Sequence, residues 1–186
     1  MSSESQAALG SASPAALGSE PHGGGPRAPR RPEPRWLDAH EHAAWLALVG
    51  VLLKLPAALD AQLRRDADMS HFEYQVLAGL SQAPEHTLHM SDLALFAGGS
   101  LSRLSHVVSR LEQRGWVRRE PCPGDGRYTN AVLTAAGWDA IVASAPGHVA
   151  RVRSLIFDAL AAGQVAQLHE LAHIILARIE ASAENT

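Results

Sequence analysis

Between Ser100 and Arg127 the chain gathers side chains suited to one kind of chemistry, hydrogen bonding to a nucleic-acid duplex. Ser102, Arg103, Ser105, His106, Ser109 and Arg110 recur at spacings that place them on one helical face, and no carboxylate interrupts them. All six donate hydrogen bonds over reaches that suit base edges and phosphate oxygens. Arginine can grip guanine or phosphate with two parallel bonds, and a good base pairing of this kind discriminates by about 1–3 kcal/mol. The serines are short enough to let a helix approach the floor of a major groove.

A second group points elsewhere. His169-Glu170-Leu171-Ala172-His173 spells H-E-x-x-H, in which two histidines one helical turn apart share a zinc ion and the glutamate acts as general base. Ten histidines and eleven glutamates in 186 residues produce that string by chance about 3% of the time. A catalytic zinc also needs a third ligand and an open water position, and the downstream carboxylate, Glu180, falls on another part of the helix. The expectation is therefore a protein with no catalytic residues, no resident metal and no cofactor. A zinc hydrolase using His169, Glu170 and His173 is kept as an alternative. So is a metal-responsive regulator drawing on His40 and His42, or on His86 and His89.

The elements that must position the donor face are legible in the apolar spacing. Leu93, Ala94, Phe96 and Ala97 form one helical stripe; Leu101, Leu104, Val107, Val108 and Leu111 form the next. Gly98-Gly99 breaks the run where two helices would cross. Residues 116–120 and 129–133 then read as paired strands around the turn-rich PCPGDGRY. Upstream, a first helix is expected over about 38–65, apolar nearly all round between Trp45 and Leu59, with a kink or restart at Pro56. A helix this apolar needs burial on more than one face, and in so small a domain a partner subunit is the natural supplier. Asp38 with Glu41 and Ser70 with Glu73 have capping-box spacing, the latter opening a second helix over about 70–82. Residues 88–90 read as a minor strand. A fifth helix starts near Thr134 and bends around Pro146-Gly147. A sixth runs over about 164–181 with Val165, Leu168, Leu171, Ala172, Ile175 and Ile179 on one stripe.

Composition agrees with one ordinary domain plus a tail: 46% of residues are hydrophobic and 19% charged. The net charge of −3 is unevenly distributed. Residues 100–130 hold six arginines against three carboxylates, a balance of +3, so the remainder carries −6. A basic patch on an acidic body focuses phosphate binding onto one face. A single cysteine, Cys122, excludes an internal disulfide and suits a reducing compartment. The first residues lack a basic then apolar leader, and Lys54, Pro56 and Asp60 interrupt the most apolar stretch, residues 43–63. A cytoplasmic protein without a membrane span is expected. Residues 1–34, rich in Ser, Ala, Gly and Pro, read as a disordered tail. Its arginines 27, 30 and 31, with Arg35 just beyond, suit either a solvated linker or an arm touching DNA.

The segment LEQRGWVRREPCPGDGRYTNAVLTAAG, with Leu111, Arg114-Gly115, Val117, Pro121, Pro123, Asp125, Arg127, Leu133-Thr134 and Gly137 in register, resembles the multiple antibiotic resistance regulator (MarR) family of winged helix-turn-helix transcription factors. The likeness extends over roughly residues 38–179. It implies a mainly α fold with a small β-hairpin wing, within a domain spanning 35–186. The winged helix-turn-helix would occupy about 70–137, with dimerisation helices at about 38–65 and 138–181. It further implies an obligate homodimer on palindromic double-stranded DNA, the fourth helix in the major groove and Arg127 in the minor groove. Family members commonly repress, and release DNA when a small aromatic or phenolic effector binds. On this basis the expected DNA contacts are Ser100, Ser102, Arg103, Ser105, His106, Ser109, Arg110 and Arg127, with Asp125 orienting the wing arginine. Trp45, Phe72, Tyr74, Trp138 and His148 are the expected effector-pocket residues. Three positions depart from the family pattern: His106 stands where arginine is common, Cys122 replaces a common aspartate, and Gly126 removes one wing arginine.

Overall fold

The computed structural model describes residues 34–122 and 125–183, with Asp125 and Gly126 described by backbone alone. The expected tail lies almost wholly outside the described residues. The chain divides between Asp38 and Ala39. Residues 34–38 carry no regular structure, and the elements below all belong to the second unit.

The first helix, α1 (Ala39–Ala67), is continuous through Pro56. The expected restart there is absent: proline forfeits one backbone bond, and the remaining ladder holds the helix together. Its C-terminal end buries Leu59, Gln62 and Leu63, whereas the turns around Trp45, Leu46, Leu52 and Leu53 are exposed. By length and apolar composition α1 would suffice to cross a membrane, despite Lys54, Pro56 and Asp60. Asp68, in the left-handed region at φ 48°, ends the helix.

Ser70 caps α2 (His71–Gln82), where both bonds of the capping box form. A 3-10 turn at Pro84–His86 leads into β1 (Thr87–His89), one residue earlier than expected because Met90 opens α3 (Met90–Phe96) and is buried. Gly98, at φ 65°, turns the chain toward α4 (Leu101–Gln113). Gly115, at φ 71°, turns it again into β2 (Val117–Cys122). β3 (Asp125–Leu133) pairs antiparallel with both other strands, giving the order β1-β3-β2. These strands run longer than the sequence pattern suggested, with a register shift between Pro121 and Cys122. Pairing therefore continues past the proline through a bulge.

Thr134 caps α5 (Ala135–Leu155) by accepting from the Gly137 amide at 3.1 Å. Gly137 sits so close to the Trp116 carbonyl that no side chain fits there. After a 3-10 turn at Phe157–Ala159, α6 (Ala162–Ala183) follows, with none of its residues buried.

The core lies within the α2–β3 lobe and the ends of α1 and α5 that touch it. Leu63, Val76, Leu77, Leu80, Leu93, Leu104, Val108, Leu111 and Val117 pack there almost fully buried. The α6 stripe read from the sequence is not buried within this chain, whereas those of α3 and α4 hold with two exceptions. Leu101 is 55% exposed, and Phe96 is half-exposed while resting its ring on Gly79. Both stand at element ends, where the helix has already turned its face away from the core.

Candidate nucleic-acid interface

The apolar stripe of α4, Leu104, Val107, Val108 and Leu111, is buried, and this orients the opposite face outward. Ser102, Arg103, Ser105, His106 and Arg110 are exposed and Ser109 is half-buried. Ser100 is the N-cap, its hydroxyl accepting from the Arg103 amide at 3.2 Å. The Arg103 guanidinium lies 4.2 Å over the Phe72 ring. That ring is seated against Gly99, where an added Cβ would meet it at 2.6 Å. An aromatic shelf of this kind restrains a long side chain without using its hydrogen-bond donors.

Arg110 is restrained differently. Its Nε donates to Glu73 Oε1 at 3.1 Å, while Glu73 Oε2 accepts from the Ser70 amide at 2.7 Å and the Ser70 hydroxyl at 2.8 Å. Burial alone would push the Glu73 carboxyl up, but the bonds from Ser70 and Arg110 outweigh it and hold the carboxyl below its ordinary range. The arginine itself remains 56% exposed. One carboxylate thus closes the start of α2 and steadies an arginine on α4.

Arg119, on β2, reaches back to α4. Its Nη2 donates to the Ser105 carbonyl at 2.7 Å, both terminal nitrogens lie 3.3 Å from the Ser109 hydroxyl, and Nη1 pairs with Glu112. The Glu112 carboxylate also accepts from the Arg119 amide at 3.0 Å. The hydroxyls of Ser105 and Ser109, expected to face DNA, are therefore bonded to the wing strand. Arg127 is exposed on β3 and lines a groove of about 450 Å³ with Ser105, Arg119 and Tyr128. The side chain of Asp125 lies outside the described residues.

Ion pairing weakens the basic patch relative to its sequence count. Arg110 pairs with Glu73, Arg114 with Asp68, Arg118 with Glu120 and Arg119 with Glu112. Glu73 and Asp68 come from outside the basic segment, so folding brings in two carboxylates that the linear tally omits.

A cleft of about 1160 Å³ opens between α1, α2 and α4, lined among others by Arg64, His71, Phe72, Phe96, Arg103 and His106. Of the five expected effector-pocket residues it contains Phe72 alone. Tyr74 is buried, its ring 4.2 Å from His148, and His148 stacks 6.0 Å from His71. Burial lowers the pKa of both histidines and raises that of Tyr74. Trp138 packs 4.8 Å from His86, and Trp45 is exposed on α1. Aromatic type marks packing value: Tyr74 and His148 pack on each other, while Phe72 and Trp138 take part in other contacts.

His169 and His173 stand side by side on exposed α6, ring centres 5.2 Å apart. Among the described residues no group of three or more His, Cys, Asp or Glu is placed to hold a metal ion. His89 faces Tyr128 at 6.3 Å, and Cys122 is half-buried and in no disulfide. Three residues that hold this surface together escaped sequence reasoning in that role: Glu73, Glu112 and Arg119. The Ser70–Glu73 spacing marked a cap, but nothing local reveals a partner 37 residues away.

A buried-stripe helix with a donor face, preceded by a glycine turn and flanked by an antiparallel hairpin, defines a winged helix-turn-helix DNA-binding lobe. Comparison with known proteins agrees. A MarR family model matches residues 67–127. The chain is 44% identical to Sco3205, a MarR family transcriptional regulator from Streptomyces coelicolor solved in complex with DNA; the match covers 78% of this chain and 91% of that one, at a TM-score of 0.74. AbsC, another MarR family regulator from Streptomyces coelicolor, is 34% identical over 80% of this chain and 99% of its own, also at 0.74. The regulator PecS of Dickeya dadantii is 29% identical over 116 residues, 60% of this chain and 69% of PecS. The chain belongs to the MarR family and is a DNA-binding transcriptional regulator.

Proposed function

We propose that the protein is a cytoplasmic homodimeric repressor that occludes a palindromic operator and is released by a small aromatic or phenolic molecule. The observation that carries the reading is the outward face of α4, where Ser102, Arg103, His106 and Arg110 stand exposed with both arginines held in place by neighbours. In a twofold dimer two such helices enter successive major grooves about 34–36 Å apart, with Arg127 of each wing at the flanking minor groove. Support for pairing comes from apolar surface that the described residues leave exposed. The N-terminal half of α1 and the Leu168, Leu171, Ile175 and Ile179 stripe of α6 are exposed, a liability that a second copy removes. Support for an effector comes from the cleft beneath α4. Phe72 and Phe96 would receive a flat ring, Arg64 and His71 its polar substituent, and the bound molecule would compete with Phe72 for Arg103.

Gel shifts against the DNA upstream of the gene test this. Three or four phosphates neutralised per subunit give a slope of log K against log salt of about −5 to −7. Arg103→Ala and Arg110→Ala should cut operator affinity with the dimer intact. Arg127→Ala should weaken binding with less effect on major-groove preference. Equal binding to random and upstream duplex, or unchanged affinity in all three variants, would refute the proposal.

A further inference from the structure

We infer that Arg119 is a positioning residue for DNA recognition, a clamp that sets where the wing stands relative to the recognition helix. The inference rests on the regulatory reading above. Four features of the structure separate Arg119 from an ordinary phosphate-binding arginine.

Its terminal nitrogens are already spent on the Ser105 carbonyl, the Ser105 and Ser109 hydroxyls and Glu112, and its side chain is only 26% exposed. The acceptors are arranged to receive it. Ser109 donates its own hydroxyl proton to the Ser105 carbonyl at 3.0 Å, which turns its lone pairs toward the guanidinium. Ser105 and Ser109 lie one helical turn apart and so form a platform along α4. Glu112 accepts from both the backbone amide and the side chain of Arg119, so strand and guanidinium are held by one carboxylate. Finally, Glu112 is the one carboxylate in α4, and Arg119 cancels a charge that would otherwise repel DNA phosphates.

The consequence reaches Arg127 through the sheet. Arg119 is paired with Ala131 on β3, four residues from Arg127 and hence about 13 Å along the strand. A tilt of about 10° at the clamp displaces Arg127 by roughly 2 Å, more than a hydrogen bond tolerates. Arg119 acts on recognition by keeping the Arg127 guanidinium at a constant offset from Arg103 and His106.

The test uses the full-length protein with upstream and random duplexes, binding followed by fluorescence anisotropy from 50 to 300 mM salt. Arg119→Met should lose tenfold or more of operator affinity while random-duplex affinity changes less than threefold and the salt slope stays at the wild-type value. Arg119→Lys should not rescue, because an ammonium cannot fork between Ser105, Ser109 and Glu112. Ser109→Ala, which leaves the core untouched, should shift operator affinity severalfold in the same direction. A direct phosphate contact would instead lower the slope by about 0.9 per arginine, nearly 2 per dimer, on both duplexes. That result, or unchanged operator affinity in Arg119→Met, overturns the clamp. Amide exchange in the β2–β3 hairpin reads the clamp without DNA. It should accelerate in Arg119→Met and Ser109→Ala, and unchanged exchange also overturns the inference. Failure of the wild-type protein to prefer upstream DNA would instead overturn the regulatory reading, leaving the exchange measurement to judge the clamp.

Discussion

Glu73→Ala should unsettle the lobe and its DNA-facing arginine together. Glu73 is 8% exposed, and its carboxylate closes the capping box of α2 and accepts from Arg110. Truncation leaves the Ser70 amide without an acceptor in a buried setting, which costs about 1–3 kcal/mol. Loss of the Arg110 pair adds no more than about 1 kcal/mol, because the arginine is largely in water. The total, about 1–4 kcal/mol, lowers the melting temperature of a chain this size by roughly 3–15 °C. Glu73→Gln keeps an oxygen for the Ser70 amide and should cost about half as much, yet it releases Arg110 equally. Thermal unfolding at matched protomer concentration, followed by operator binding well below the transition, separates the two effects. A melting temperature within 1 °C of wild type for Glu73→Ala would refute the capping argument. Full operator affinity in Glu73→Gln would refute the idea that the carboxylate steadies Arg110 for DNA.

Other outcomes follow from single contacts. Gly137→Ala drives a Cβ into the Trp116 carbonyl, which also accepts from the Thr134 amide and cannot readily move. Overpacking of this kind costs about 3 kcal/mol, so a Gly137→Ala protein melting with wild type would show that the β2–α5 junction is softer than described. His71 and His148 have pKa values depressed below the ordinary imidazole range by burial, His148 also by its neighbour. Their contribution to stability is complete above about pH 6.5 and is lost as the pH falls through the lower folded values. Melting temperature should therefore fall between pH 7.5 and 5.5 at constant ionic strength, and a flat profile would contradict the packing around Tyr74. Leu171→Glu with Ile175→Glu removes four apolar side chains per proposed dimer, roughly 6 kcal/mol or more of association energy. Sedimentation should then report monomers with weak operator binding; an intact dimer would mean that α6 pairs through another face.

Much of the winged lobe was legible because its signals are local. Leu104, Val107, Val108 and Leu111 announced which side of the fourth helix is buried, and so which side carries Ser102, Arg103 and His106. Ser70 with Glu73 and Gly98-Gly99 marked boundaries through capping and turn chemistry that depends on neighbours in sequence. The expected effector-pocket residues do not all share one cleft, because burial of Tyr74 against His148, and the seating of Phe72 under Arg103, are set by which helices meet. At Pro56 the restart, one of the two expected outcomes, does not occur. One missing backbone bond breaks a short isolated helix, but not one of 29 residues anchored by Leu59 and Leu63.

Periodicity and capping, read along the chain, determined which elements form, where they start and which face each turns inward, because those choices are governed by residues three or four positions apart. Tertiary structure alone decided the partners of the charged groups: Arg110 on Glu73, Arg119 on Glu112 and on the hydroxyls of Ser105 and Ser109. Such pairings depend on the crossing of elements distant in sequence. A side chain whose type suits DNA is therefore committed to DNA or to the scaffold only when the fold places an acceptor beside it.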